Sequence, residues 1–123
     1  MDKESQEQEI LIMETGKYKL DGHKVVLCEN LNEWAKWYET ADRDVAKTAI
    51  TEEITVSTVF LSLDHNLGKG KPVLFETMIF GGLLDEDMER YGTWDEAEAG
   101  HKRWVEKVSR TLIPVNEFPK EQP

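Results

Sequence analysis

The sequence predicts an α+β fold: an antiparallel meander sheet of about four to five strands, with two helices packed on one face. Three observations predict it. The β-rich runs 54–63 (ITVSTVFLSL) and 73–80 (VLFETMIF) are joined by a loop too short for a crossover, so they should pair antiparallel. Two segments open with helix-capping residues and continue with apolar residues at helical spacing. The chain has 123 residues, 39% hydrophobic and 33% charged, which is the size and balance of a single globular core.

Charge narrows the partner class. Fifteen Lys and Arg stand against 25 Asp and Glu, for a net charge of -10. Such a chain lacks the basic face that displaces counterions from nucleic acid, and it is not drawn to anionic lipid. No apolar run approaches the roughly 20 residues of a membrane span. Residues 1–9 are polar and acidic, unlike a signal peptide. The single cysteine, Cys28, leaves no internal disulfide framework and no Cys-rich zinc site. The expectation is a cytoplasmic protein with no metal and no cofactor, no direct nucleic-acid binding and no membrane contact.

Residues 1–13 read as a flexible acidic arm, 14–113 as one α+β domain and 114–123 as an irregular tail. Within the domain, Asp21-Gly22 between the runs 17–20 and 24–28 signals a hairpin. A first helix starts at Asn30 or Asn32, where Asn30 and Glu33 have capping-box spacing. Its expected apolar face is Leu31, Trp34, Ala35, Tyr38 and Ala41. A short strand at 45–50 and a turn at 51–53 lead into the run 54–63, read as a central strand covered by helix on at least one side. Residues 64–72 (DHNLGKGKP) are a loop. Gly81-Gly82 breaks the next strand. The last helix is capped by Thr93 with Glu96 three residues on. Trp94, Ala97, His101, Trp104, Val105, Val108 and Leu112 share its apolar face. Asp95, Glu96 and Glu98 near its start, and Lys107 and Arg110 near its end, suit the helix dipole.

Two blocks are distinctive. One is VSTVFLSLDHN at 56–66, continued by Pro72 and LFETMIFGG at 74–82; the other is RYGTWDEAEAGH at 90–101. Upstream, YKLDG at 18–22, WAKWYETADR at 34–43 and VAKT at 45–48 belong to the same pattern. Over roughly residues 17–108 the chain resembles a family of small uncharacterised proteins encoded by bacteriophages and prophages. The resemblance implies a phage or prophage origin and a location in the host cytoplasm. It implies no activity.

Several residues are candidates for chemistry or recognition. His65, beside Asp64 and Asn66, is either a ligand-facing acid, base or metal ligand, or it packs at the strand end while Asp64 and Asn66 supply turn hydrogen bonds; the second reading is preferred. Glu76 lies inside an apolar strand, on the side of Leu74, Met78 and Phe80 by strict alternation. It needs a partner, with His65, His101 and Arg90 as candidates, or it faces a pocket. Glu98 and His101 match one Glu-x-x-His element of a di-iron site, which needs two copies and further carboxylates; the spacing is common and His101 is preferred as a satisfied core histidine. Trp37 and Trp104 are core aromatics or exposed anchors for a partner. The segment 85–98 carries seven acids, Asp85, Glu86, Asp87 and Glu89 among them. It reads as a solvated loop before an acid-rich helix start, or as a patch mimicking nucleic acid.

These readings give three functional expectations. The first is a non-enzymatic phage accessory protein that binds a host protein or a second copy of itself. The second is a small-ligand or weakly catalytic protein with a pocket lined by His65, Glu76, Tyr91 and His101. The third is an acidic inhibitor of a nucleic-acid-binding host enzyme.

Overall fold

A computed structural model describes residues 16–114. The expected acidic arm, 1–13, and most of the tail, 114–123, lie outside the described residues. Six strands and two helices follow one another: β1 (Tyr18–Asp21), β2 (Lys24–Leu27), α1 (Leu31–Thr40), β3 (Asp44–Ala49), β4 (Thr55–Phe60), β5 (Phe75–Phe80), β6 (Met88–Tyr91) and α2 (Trp94–Arg110). The strands form a two-stranded sheet, β1-β2, and a four-stranded antiparallel meander in the order β3-β4-β5-β6. The α+β class and the antiparallel pairing of the two long runs are therefore as expected, with Thr55 opposite Phe80 and Phe60 opposite Phe75.

Alternation along the central strands sets the two faces of the larger sheet. Val56, Thr58 and Phe60 on β4 and Phe75, Thr77 and Ile79 on β5 are all wholly buried. They meet α2, which touches all four strands. Two apolar clusters result. Phe60, Leu74, Phe75, Tyr91 and Ala97 pack with Trp37 and Trp94 at one end. Ile54, Val56, Ile79 and Val108 pack with Trp104 and Val105 at the other. The opposite face of the sheet has no helix on it among the described residues.

The helix caps form where the sequence places them. The Asn30 side chain accepts the Glu33 backbone N–H at 3.0 Å, and the Thr93 hydroxyl accepts that of Glu96 at 3.1 Å. The apolar face of α1 differs from expectation. Trp34 is buried and Trp37 half-buried, whereas Leu31, Ala35 and Tyr38 are exposed. The helix lies over one end of the core only, so it needs a narrow stripe rather than a broad face. Trp34 Nε1 donates to Ser62 Oγ at 2.7 Å, and the Trp37 ring meets Phe60 edge-on at 5.9 Å. On α2 the correction is small: Leu112 lies past the helix end and is exposed.

The run 54–63 stops being a strand of the larger sheet at Phe60. Ser62 adopts a positive φ of 72°, which turns the chain toward β1. Its hydroxyl accepts from Trp34 and donates to the Tyr18 carbonyl, and its own carbonyl accepts the Tyr18 N–H. Those bonds hold an otherwise costly backbone conformation in place. The hairpin loop is Gly22-His23, one residue later than the Asp-Gly signal suggests, because Asp21 still pairs with Lys24. The His23 ring stacks on Trp94 at 3.9 Å and 9°, tying the hairpin to the start of α2.

β6 is the element that sequence reading misses. Four residues, MERY, sit in a run of acids and show no apolar alternation. Ahead of the acid-rich helix start, which forms as expected at Trp94, the expected solvated loop is instead a turn over 81–87 followed by an edge strand. The turn closes through Glu86 N–H to Ile79 O at 2.8 Å and Ile79 N–H to Asp87 O at 3.0 Å.

Gly100 faces the end of Tyr91, and a Cβ there would overlap the tyrosine hydroxyl and ring. Ala in place of Gly normally favours a helix by about 1 kcal/mol. Here Gly100→Ala is expected to destabilise the fold by about 1–3 kcal/mol instead, because Tyr91 must abandon its hydrogen bonds. A chemical denaturation midpoint above wild type contradicts this packing.

Candidate functional site

The polar residues of interest converge on the helix-covered face of the sheet, in a line rather than around a cavity. β3, β4 and β5 present Thr48, Thr58 and Thr77 toward α2, β6 presents Tyr91 and Glu89, and α2 presents His101 between them. His101 is 5% exposed. Its Nε2 lies 2.8 Å from Thr48 Oγ1 and its Nδ1 2.7 Å from Thr58 Oγ1. Thr58 Oγ1 is 2.6 Å from Thr77 Oγ1, which is 3.0 Å from the Tyr91 hydroxyl. Tyr91 is 2.9 Å from Glu89 Oε1. Trp104 Nε1 and Arg103 Nη2 donate to the same oxygen, each at 3.1 Å.

The direction of every proton in this chain follows from its last member. Ionised Glu89 can only accept, so Tyr91 gives it the single phenolic proton. Thr77 must then donate to Tyr91, and Thr58 to Thr77. The Thr58 oxygen is left to accept, so His101 is protonated at Nδ1, and Nε2 accepts from Thr48. Thr58, Thr77 and Tyr91 each donate once and accept once, and no buried side-chain polar atom among the described residues lacks a partner.

Electrostatics agree with that order. Burial alone pushes the Glu89 carboxyl up, but hydrogen bonds from Tyr91, Trp104 and Arg103, with the Arg103 charge, hold it below its ordinary value. The Tyr91 hydroxyl is pushed up to about 12, first by burial and then by the carboxylate beside it. Burial pushes His101 below the usual histidine range, so the neutral ring is favoured.

Of the four residues expected to line a pocket, the structure brings together only Tyr91 and His101, through the two threonines. Glu76 lies on the opposite face of the sheet, because β5 alternates and its neighbours Phe75 and Thr77 take the core side. Its partner is Arg90 directly across on β6, with Nε donating to Oε2 at 3.0 Å. The Glu76 side chain is 14% exposed and that of Arg90 42%, so water screens the pair and it contributes about 0.2–1 kcal/mol. His65 is exposed at the start of the 64–72 loop. The expected pocket of His65, Glu76, Tyr91 and His101 does not form.

The loop at His65 is organised by its neighbour. Asp64, 4% exposed, accepts from the backbone N–H groups of Asn66 and Val73 through Oδ1 and of Gly68 through Oδ2, at 2.8–3.0 Å. Asn66 Nδ2 donates to the carbonyls of Lys69 and Lys71. Burial raises the Asp64 carboxyl, and the three N–H bonds more than reverse this, leaving it below its ordinary value. Asp64 and Asn66 thus supply turn chemistry.

The proposed interaction residues divide. Trp37 packs on the core and lines a shallow hollow of about 330 Å³ with Lys19, Leu20, Asp21 and Val26. Trp104 is half-buried, its ring under Lys107 Nζ at 4.7 Å, beside a hollow of about 230 Å³ shared with Glu89, Arg103 and Lys107. Neither indole is a free anchor. Asp85, Glu86 and Asp87 are exposed in one turn, but Glu89 is turned into the polar line and Glu98 is bonded to Trp94. Among the described residues no three His, Cys, Asp or Glu side chains form a metal-ligand group, and no helix is long and apolar enough to cross a membrane.

Two helices on one face imply an uncovered second face of the larger sheet, but sequence reading did not anticipate which residues it presents. Paired residues in register share a face, which places Ala49, Thr55 and Phe80 in one row, Lys47, Ser57, Met78 and Met88 in the next, and Asp44, Val59, Glu76 and Arg90 in the third. Phe80 is 51% exposed and Met88 40%. The signal was present in the alternate residues of 73–80, where both sets are largely apolar. Comparison with known protein families, with curated proteins and with solved structures found no match.

Three outcomes are expected. In histidine ¹⁵N spectra at neutral pH, His101 is expected as the neutral Nδ1–H tautomer; an Nε2–H pattern contradicts the donor order. His101, Glu89 and Asp64 all titrate lower when folded than unfolded, so the unfolded chain binds protons first as pH falls. Stability is therefore expected to be full above about pH 6.5, to fall below it as unfolded histidine protonates, and to fall again below about pH 4.5 as unfolded carboxyls protonate. Melting temperatures across pH 3–8 check this, and His101→Gln should remove the upper step. Asp64→Ala strands three N–H groups and is expected to cost about 1–3 kcal/mol, read by denaturant titration.

Proposed function

We propose that the protein acts by recognising a macromolecular partner, a host protein or a second copy of itself, through the uncovered face of its larger sheet. The observation that carries this reading is the set of apolar side chains Phe80, Met78, Met88 and Val59, spread over the three rows of a face that no described element covers. Large apolar side chains clustered on one solvent-facing surface are a signature of association. The best-formed polar constellation, from Thr48 to Glu89, is spent on mutual hydrogen bonds, buried at His101, Thr58 and Thr77 and reaching the surface at Glu89, and the hollows beside the two indoles are shallow. That distribution favours binding over catalysis. The resemblance to small phage-encoded proteins supports an accessory role in the host cytoplasm.

The test compares wild type with Phe80→Lys, which alters a half-exposed side chain. Affinity capture from bacterial lysate and self-association measurements are expected to show at least one association that the variant loses. Associations that persist unchanged in Phe80→Lys, or a wild type that neither captures a partner nor self-associates, reject the reading.

A further inference from the structure

We infer that the occupant of the uncovered sheet face is a second copy of this chain, packed face to face about a two-fold axis parallel to the strands. The inference rests on the reading above, that this face binds a macromolecule, and it adds the identity and geometry of the partner.

Charge is the first argument. The chain carries a net charge of -10, and two such copies repel over most of their surfaces. The three rows of the open face hold Lys47 and Arg90 against Asp44 and Glu76, and so sum to zero. This face can meet its own copy without that repulsion.

Size is the second. The β3 and β4 half of the face presents small side chains, Ala49, Thr55 and Ser57, whereas the β5 and β6 half presents Phe80, Met78 and Met88. Rotation about an axis parallel to the strands keeps each row and reverses the strand order, so β3 lies over β6 and β4 over β5 of the other copy. Thr55 then faces the partner subunit's Phe80, and Ser57 faces the partner subunit's Met78. Lys47 lays its aliphatic stem over the partner subunit's Met88. Asp44 faces the partner subunit's Arg90, which uses only its Nε toward Glu76. The two-fold axis repeats each of these contacts. An in-plane axis across the strands instead sets Met78 on its own copy and Lys47 on its own copy, large on large and like charge on like charge.

Area sets the strength. Four strands at about 4.8 Å spacing and three rows about 7 Å apart give a footprint of about 400 Å² per copy, about 800 Å² in all, below the range of stable specific interfaces and in that of weak, transient ones. Dissociation in the range of about 10⁻⁵–10⁻³ M is expected.

Sedimentation of the full chain from about 1 μM to 1 mM should show a reversible monomer–dimer equilibrium. Phe80→Lys and Asp44→Arg should each weaken it at least tenfold, with circular dichroism unchanged. In a Cys28→Ser background, a short bismaleimide should join a Ser57→Cys copy to a Met78→Cys copy. A dimer that Phe80→Lys leaves intact, or one in which Ser57→Cys joins only to itself, overturns the proposed packing. A wild type monomeric to 1 mM that captures a lysate protein, lost in Phe80→Lys, overturns the second-copy inference and leaves the binding reading standing. A monomer that captures nothing overturns both.

Discussion

The hydrogen bonds of His101 hold the two layers of the molecule in register. A helix over a sheet can slide along it while keeping most of its apolar contacts, because apolar burial is not directional. Two ring nitrogens fixed at 2.7 and 2.8 Å by hydroxyls on β4 and β3 allow one position only. From that ring the contacts pass across the sheet through Thr58, Thr77 and Tyr91 to Glu89, which returns to α2 by Trp104 and Arg103. The line starts and ends on the same helix and visits every strand of the meander. Removing the Thr58, Thr77 or His101 side chain leaves a buried donor or acceptor without a partner, which costs more than the bond itself supplied.

The rest of the fold is arranged around the ends of that layer pair. At one end the β-strand of β4 is interrupted at Ser62, and a single hydroxyl connects α1, β1 and the sheet. At the adjoining loop Asp64 collects the backbone N–H groups of Asn66, Gly68 and Val73. Short polar side chains thus do at the periphery what His101 does at the centre.

The sequence shows most of the architecture where local chemistry decides it. Both helix caps, the hairpin, the long loop and the pairing of β4 with β5 follow from residue types at fixed offsets. β6 does not, because its strand character comes from being placed beside β5, a context that MERY does not encode locally. The candidate site divides in the same way. His101 on an apolar helical face is legible as a core histidine. Its three threonine partners are not, since a threonine in a strand looks alike whether it faces water or a ring. Glu76 is legible as needing a partner, and only the register of β5 against β6 selects Arg90 and sends it to the far face. The exposed face was hidden by the same strand, whose two sets of alternate residues are both largely apolar.

Gly100 and Tyr91 carry a consequence for how this sequence can change. The helix has room for the phenol only because position 100 has no side chain, and the phenol is the one link between the threonines and Glu89. A substitution at 100 that adds bulk evicts Tyr91. A smaller residue at 91 leaves a hole beside Gly100, with Thr77 and Glu89 facing it. The two positions therefore form a single heritable unit, and variants of this chain that alter one without the other should be rare.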